Sequence, residues 1–326
     1  MTRFSRSLLL PAACLLAAGA AAPSLAADAY PSRPITLVVP FPPGGGADVM
    51  GRVVAQKLGE VLGQPIVVDN KAGAGTIIGA SYVAKARSDG YTLLISSGST
   101  FTINPALRKE LPYAPGSFDP LGIVGQAPLV LLANAQVPVQ SVKDFVRYVS
   151  ASPGKYSYGS FGSGSTSHFA AEGILAATGL KMSHVPYRGS APAMTDLIGG
   201  QIPFSVDTVT AAMAQLRGGR IRAIAVTSAK RSASLPNVPT MAESGYPQVN
   251  METWLALAAP KGLNPDVRGK LERALARVLE DSATRAKLAD QGLEPSYSDG
   301  AAMAELINRE LPAMRALVQR ANMTVD

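Results

Sequence analysis

Residues 35–50 read Ile-Thr-Leu-Val-Val-Pro-Phe-Pro-Pro-Gly-Gly-Gly-Ala-Asp-Val-Met, and the rest of the chain is organised around them. Ile35 to Val39 is a short apolar run rich in β-branched residues, the pattern of a buried strand. Pro40, Pro42 and Pro43 forbid its continuation, and Gly44 to Gly46 leave the backbone free to turn sharply. A helix follows, with Asp48 positioned to cap it by accepting a backbone N–H and with Val49, Val53, Val54, Leu58 and Val61 at near-helical spacing. A strand, a glycine loop and a helix N-terminus gather unpaired N–H groups at the positive end of a helix dipole. That geometry suits a carboxylate or a phosphate. A tight strand-to-helix connection explains the same glycines, and at this point both readings stand.

The reading extends outward from this unit. Pro65 to Asp69 is a second strand, followed by Asn70 to Gly75 and a helix from Thr76 to Lys85; Tyr91 to Ile95 is a third strand that enters Ser96-Ser97-Gly98-Ser99-Thr100. Strand and helix alternate, which predicts a parallel, doubly wound sheet with ligand loops at the carboxyl ends of its strands. Val124 to Ala133 is a candidate crossing into a second lobe. Beyond it the arrangement recurs: Tyr156 to Gly159 as strand, Gly162-Ser163-Gly164-Ser165-Thr166-Ser167-His168 as loop, and a helix from about Thr166 to Ala177. His184 to Tyr187 leads to Arg188-Gly189-Ser190 and a helix over 191–198, and Ile202 to Val206 ends at Asp207. A helix from Ala211 to Leu216 and a strand from Ile221 to Thr227 complete the second unit. After a proline-rich connection, Trp254 to Ala259 is a strand returning to the first lobe. Amphipathic helices close the chain.

Composition narrows the function. Arg3 and Arg6 precede an apolar run over residues 8–22, and Ser24-Leu25-Ala26 offers the small residues of a cleavage site, so residues 1–26 read as an export signal. The run is too short and alanine-rich for a membrane span. Cys14 is the only cysteine and lies inside the signal, behind a poor lipoprotein triplet, so no thiolate chemistry is expected of the mature chain. The formal charge is +7, and removing Arg3 and Arg6 leaves 7 − 2 = +5, a modest field that favours anionic small molecules. The basic residues are scattered without aromatic interleaving, which argues against nucleic acid. About 300 residues suffice for two cores rather than one.

Catalytic signatures are weak. No serine stands between glycines at the spacing of a nucleophile elbow. His168 and His184 are the only histidines; two histidines offer no metal-ligand spacing, and nearness to Ser163, Ser165 and Ser167 does not make His168 a base. Asp48 and Asp207 sit at loop entrances in different lobes and could meet across a cleft. Gly73-Ala74-Gly75-Thr76-Ile77-Ile78-Gly79 has one residue too many for a dinucleotide fingerprint. What remains is a set of donors without a catalyst: amides of Gly44, Gly45 and Gly46, hydroxyls of Ser97, Ser99 and Thr100, amides and hydroxyls from Gly162 to Ser167, and Arg188 as a charge. Donors of this kind orient a carboxylate by many weak bonds and release it unchanged.

Several ordered segments carry a family resemblance: Tyr30 to Ile35, Val39 to Asp48, Asp69 to Gly75, Asp89 to Leu94, Ile103 to Leu107, His184 to Gly189 and Ala225 to Arg231. Over nearly all of the mature chain the sequence resembles the tripartite tricarboxylate transporter receptors, the Bug-family periplasmic solute-binding proteins. The resemblance implies an α/β fold of the two-lobed periplasmic binding protein type (type II-like), each lobe a doubly wound sheet with flanking helices, with a ligand cleft between lobes. Residues 27–126 plus 250–326 would form lobe 1, and residues 127–249 lobe 2. By position it assigns Phe41 and Gly44 to Asp48, including Ala47, to the first-lobe loop, Ser97 and its neighbours to the next, Gly162 to His168 to the second-lobe loop, and Asp207 to the far wall. Ala47, Thr76-Ile77-Ile78 and Thr208 depart from the family's usual residues near the pocket. The implied ligand is a small mono-, di- or tricarboxylate or an acidic or amide amino acid; the implied partners are membrane subunits of a tripartite tricarboxylate transporter. No cofactor, metal or catalysis is implied, and the receptor acts as a monomer. An exported hydrolase or lyase using His168, and a sensor serving a signalling partner, are the alternatives.

Overall fold

The computed structural model describes residues 30–320 and Met323; the export signal read over residues 1–26 lies outside them. Strand β1 (Ile35–Val39) leads to helix α1 (Gly46–Leu62), followed by β2 (Ile66–Asn70), a single 3₁₀ turn (Ala74–Thr76), α2 (Ile77–Ala84) and β3 (Thr92–Ser97). β1 lies between β2 and β3 and pairs parallel with both. Both its faces are covered, which is why its sequence is a continuous apolar run: Ile35, Leu37 and Val39 pack into one core cluster and Val38 into another. A π turn (Ser99–Ile103) and the short α3 (Asn104–Leu107) then lead to β4 (Phe118–Asn134).

β4 is the structural surprise. The crossing read over residues 124–133 is part of one 17-residue strand that belongs to two sheets. From Phe118 to Pro128 it pairs antiparallel with β9 (Glu252–Pro260), and from Leu129 to Ala133 it pairs with β7 (Phe204–Thr208). Pro128, which has no N–H to give, stands where the partner changes. Register shifts on the β9 side bend the strand before that point. β8 (Ile221–Val226) takes the other edge of the far half.

The second unit contains α4 (Val142–Ser150), β5 (Ser157–Ser160), α5 (Thr166–Thr178), β6 (Ser183–Pro186), α6 (Ser190–Gly199) and α7 (Val209–Arg217). β5 pairs parallel with β6 and β7. The parallel order expected throughout therefore holds for β2-β1-β3 and β6-β5-β7, while β4, β8 and β9 run antiparallel to their neighbours. The chain closes with α8 (Pro265–Glu280), α9 (Ser282–Asp290), β10 (Glu294–Asp299), which pairs with β4, and α10 (Gly300–Arg320). β10 was not expected, because Glu-Pro-Ser-Tyr-Ser-Asp lacks an apolar alternation. Each unit has its own apolar core, one around Leu37, Leu58 and Leu275 and another around Phe145, Phe204 and Ile174. No helix among the described residues is long and apolar enough to cross a membrane.

Candidate functional site

The first glycine loop is open. Gly44 takes φ +80°, a conformation that favours glycine, and Gly45 rather than Asp48 is the N-cap of α1. The helix thus starts earlier than the sequence suggested, and Asp48 reaches back out of its first turn. Its Oδ2 accepts the Gly44 N–H at 2.9 Å and the Arg52 Nε–H at 3.0 Å, while Oδ1 accepts from Asn70 Nδ2 at 2.9 Å. Burial alone would raise the Asp48 pKa; the bonds from Arg52, Gly44 and Asn70 outweigh it and hold the carboxyl below its ordinary value. Asp48 therefore braces the loop from behind. The backbone N–H groups of Gly45, Gly46 and Ala47 have no acceptor among the described residues.

The second loop is closed on itself. Ser165 caps α5, its Oγ accepting the His168 N–H at 3.3 Å and donating to the Gly162 carbonyl at 2.6 Å. The Phe161 N–H donates to Ser167 Oγ at 3.0 Å, the Gly162 N–H to Ser160 Oγ at 3.2 Å, and the Gly164 N–H to His168 Nδ1 at 3.3 Å. The Thr166 N–H crosses to Ser99 Oγ at 3.1 Å. Most donors expected here for a ligand are thus already used. The rings of His168 and His184 stack at 4.0 Å, and His184 Nε2 lies 2.7 Å from Ser160 Oγ. Burial pushes His168 down to about 4, and burial together with His168 pushes His184 down to about 3. His168, expected in the ligand-binding loop, sits instead in the first turn of α5, and neither histidine lines either of the two cavities beside the glycine loops.

Of the hydroxyls between the loops, Ser97 faces the cleft, with its Oγ accepting from the Ser99 N–H at 3.3 Å. Thr100 instead belongs to a buried network, 2.6 Å from Ser96 Oγ and donating to Thr76 Oγ1 at 2.7 Å.

Gly45, Gly46, Ala47 and Ser97 line one side of a cavity; Ser190, Asp207, Thr208 and Thr210 line the other, and Thr253 and Trp254 of β9 lie at its base. It holds about 510 Å³ of empty space continuous with solvent. The walls meet closely: a Cβ on Gly46 would stand 2.7 Å from Thr208 Oγ1, and one on Gly75 would stand 2.5 Å from the Ser163 carbonyl. Asp207 is wholly buried, accepting from Ser190 Oγ at 2.6 Å and from its neighbour's Thr208 N–H at 2.7 Å. Burial raises its carboxyl to about 6 despite those bonds. The Thr210 and Thr253 hydroxyls are buried without a partner among the described residues. Ser190, Thr210, Thr253 and Trp254 were not singled out from the sequence, though Ser190 does open a helix behind a glycine. Phe41 and Phe161 meet edge-to-face across the cleft, with centroids 6.2 Å apart. Arg188 lies beyond that pair, at a second cavity with Gly162, Ser163 and Ser165. No cluster of His, Cys, Asp or Glu among the described residues is placed to hold a metal.

Two sheets joined through the shared strand β4, with strand-end loops converging on a cleft, define a two-lobed binding protein of the periplasmic type. The family model of the tripartite tricarboxylate transporter family receptor matches residues 50–323, and the chain belongs to that family. It is 41% identical over 280 residues to Protein BugT of Bordetella pertussis, covering 85% of this chain and 86% of BugT. The structure of the periplasmic binding protein BugD superposes with a TM-score of 0.86 at 34% identity, covering 90% of this chain and 99% of BugD. R. palustris Rpa4515, solved with adipate, superposes with a TM-score of 0.88 at 34% identity, covering 90% and 99%.

Proposed function

We propose that this protein is a periplasmic receptor that captures a small carboxylate between residues 27–126 plus 250–326 and residues 127–249, and presents it unchanged to the membrane subunits of a tripartite tricarboxylate transporter. The observation that carries the reading is the row of unpartnered amides at Gly45, Gly46 and Ala47, at the N-terminus of a 17-residue helix facing a tight cavity. A related receptor's adipate complex supports the ligand class. A ligand held between the amides and the facing Ser190 and Thr208 would favour lobe closure by its extra contacts in the closed state. The receptor works as a single chain and needs no catalyst; His168 Nδ1 accepts the Gly164 N–H. Isothermal titration of the purified protein with a carboxylate panel tests this. Stoichiometric heat with the ligand recovered intact is expected, whereas turnover abolished by His168→Ala, or silence across the panel, overturns it.

A further inference from the structure

Helix α10 turns one face to the core, and the pattern of that face breaks at a single position. Met303 and Ile307 pack in the cluster that holds Phe101, Trp254 and Ala256, and further along Met314, Leu317 and Val318 pack against Ile103 and Phe169. Residue 310 continues the stripe of 303 and 307, and it is a glutamate. Glu310 forms no ion pair among the described residues. Burial raises its carboxyl above the ordinary value, against the bonds from Trp254 and Thr102 and the charge of Arg309, which act to lower it. A carboxylate here costs stability that an apolar side chain of similar volume would not.

Its partners account for the position. Trp254 Nε1–H donates to both oxygens, at 3.1 Å to Oε1 and 3.0 Å to Oε2, and Thr102 Oγ1 lies 3.3 Å from Oε2. Trp254 lines the base of the cavity faced by Gly45 to Ala47, which Glu310 itself does not reach. Phe101, also outside that cavity, stacks on the indole with centroids 5.6 Å apart and planes 13° from parallel. Stacking sets the plane of a ring but leaves it free to turn within that plane, and a hydrogen bond at the ring edge removes the freedom. Glu310 supplies the restraint that the stack lacks.

The same carboxylate reaches the neighbouring wall. Thr102 belongs to the π turn that follows Ser97, and its hydroxyl also donates to the Gly98 carbonyl at 2.9 Å. A Cβ on Gly98 would stand 3.3 Å from Trp254 Nε1 and 3.4 Å from Thr102 Oγ1, so the backbone behind Ser97 is packed against both donors to Glu310. We propose that Glu310 is a positioning residue for the solute site: from α10, outside the cavity, it fixes the indole at the cavity's base and, through Thr102, the turn behind Ser97. This rests on the receptor reading and extends the site to a residue that touches no solute.

Trp254 is the one tryptophan of the chain, so its fluorescence reads the ring directly. The test compares wild type with Glu310→Gln, whose amide oxygen still accepts the indole N–H, and with Glu310→Met, which fills the volume without an acceptor. Each is titrated calorimetrically with acetate, succinate, citrate and glutamate, and the ligand-free indole is followed by time-resolved fluorescence anisotropy. In wild type and Glu310→Gln the indole is expected to turn only with the whole protein, and affinity for the tightest carboxylate to agree within about threefold. Glu310→Met is expected to add a local picosecond-to-nanosecond motion of the ring and to cost about tenfold in affinity, with a melting temperature no lower than wild type. Wild-type affinity in Glu310→Met, or equal losses in the two variants, overturns the positioning role while leaving carboxylate capture standing. A loss of folding in Glu310→Met assigns the carboxylate to the fold alone and overturns it too, and a wild-type indole that already turns locally does so without any variant. Silence from every carboxylate in wild type overturns the receptor reading and the positioning role together.

Discussion

The loops at 44–48 and 162–168 share a strand, small residues and a helix N-terminus, yet one is open and the other saturated. The difference lies in what stands near the amides. Within residues 40–50 the one short polar side chain is Asp48, which takes the Gly44 N–H and leaves the next three free. In the second loop Ser160, Ser165, Ser167 and His168 lie within a few residues of the amides and take them. Short polar side chains compete for nearby backbone groups, so a serine-rich loop satisfies itself while a glycine-only loop stays available. A glycine-only loop keeps its amides available; a glycine–serine loop of this kind spends them on itself.

That contrast can be broken most forcefully at Gly46. Proline is tolerated at the first position of a helix, so Gly46→Pro deletes one free amide and sets a ring against Thr208 without destroying α1. Loss of a charge-assisted bond, about 1.5–3 kcal/mol, plus the clash predicts a fall in carboxylate affinity of roughly a hundredfold, read by calorimetry with little change in melting temperature. Asp207, facing the open amides, has the next largest effect. Its carboxyl is raised in the fold, from 3.8 to about 6, so its contribution to stability is fully present below about pH 4 and is lost as pH rises through 6. Asp207→Asn should therefore stabilise the ligand-free protein above pH 6, by at most about 3 kcal/mol, and leave it unchanged near pH 4; denaturant melts at both pH values check it.

On the closed side the signature reverses. Ser167→Ala leaves the buried Phe161 amide unsatisfied and is expected to cost about 1–3 kcal/mol of stability in urea unfolding, with carboxylate affinity within about threefold of wild type. A large affinity loss with unchanged stability would equate the loops after all. The smallest effect belongs to His168 and His184, whose pKa values are depressed in the fold, so their contribution is present above about pH 6.5 and lost as pH falls toward 4 and 3. His184→Asn should flatten the acid limb of a stability–pH profile while leaving its neutral region in place.

Much of this was legible in the sequence, for uneven reasons. Proline and glycine punctuation locates the first loop, and β-branched runs locate β1 and β3, because those signals are local. The saturation of the second loop was not legible, since whether a serine faces its own backbone or a ligand depends on the path of the turn. Thr253 and Trp254 read as ordinary strand residues; they reach the cavity only because β9 returns beside β4, from more than a hundred positions away.

β4 has a consequence for how the molecule comes apart. A strand hydrogen-bonded at one end to β9 and at the other to β7 and β8 cannot leave either sheet without exposing edges of the other. The two halves are then thermodynamically one folding unit, and neither is expected to survive alone as a folded fragment. Native-state hydrogen exchange reads this directly: the amides of Leu129 to Leu132, beside the place where β4 passes from one sheet to the other, are expected to exchange only through global unfolding.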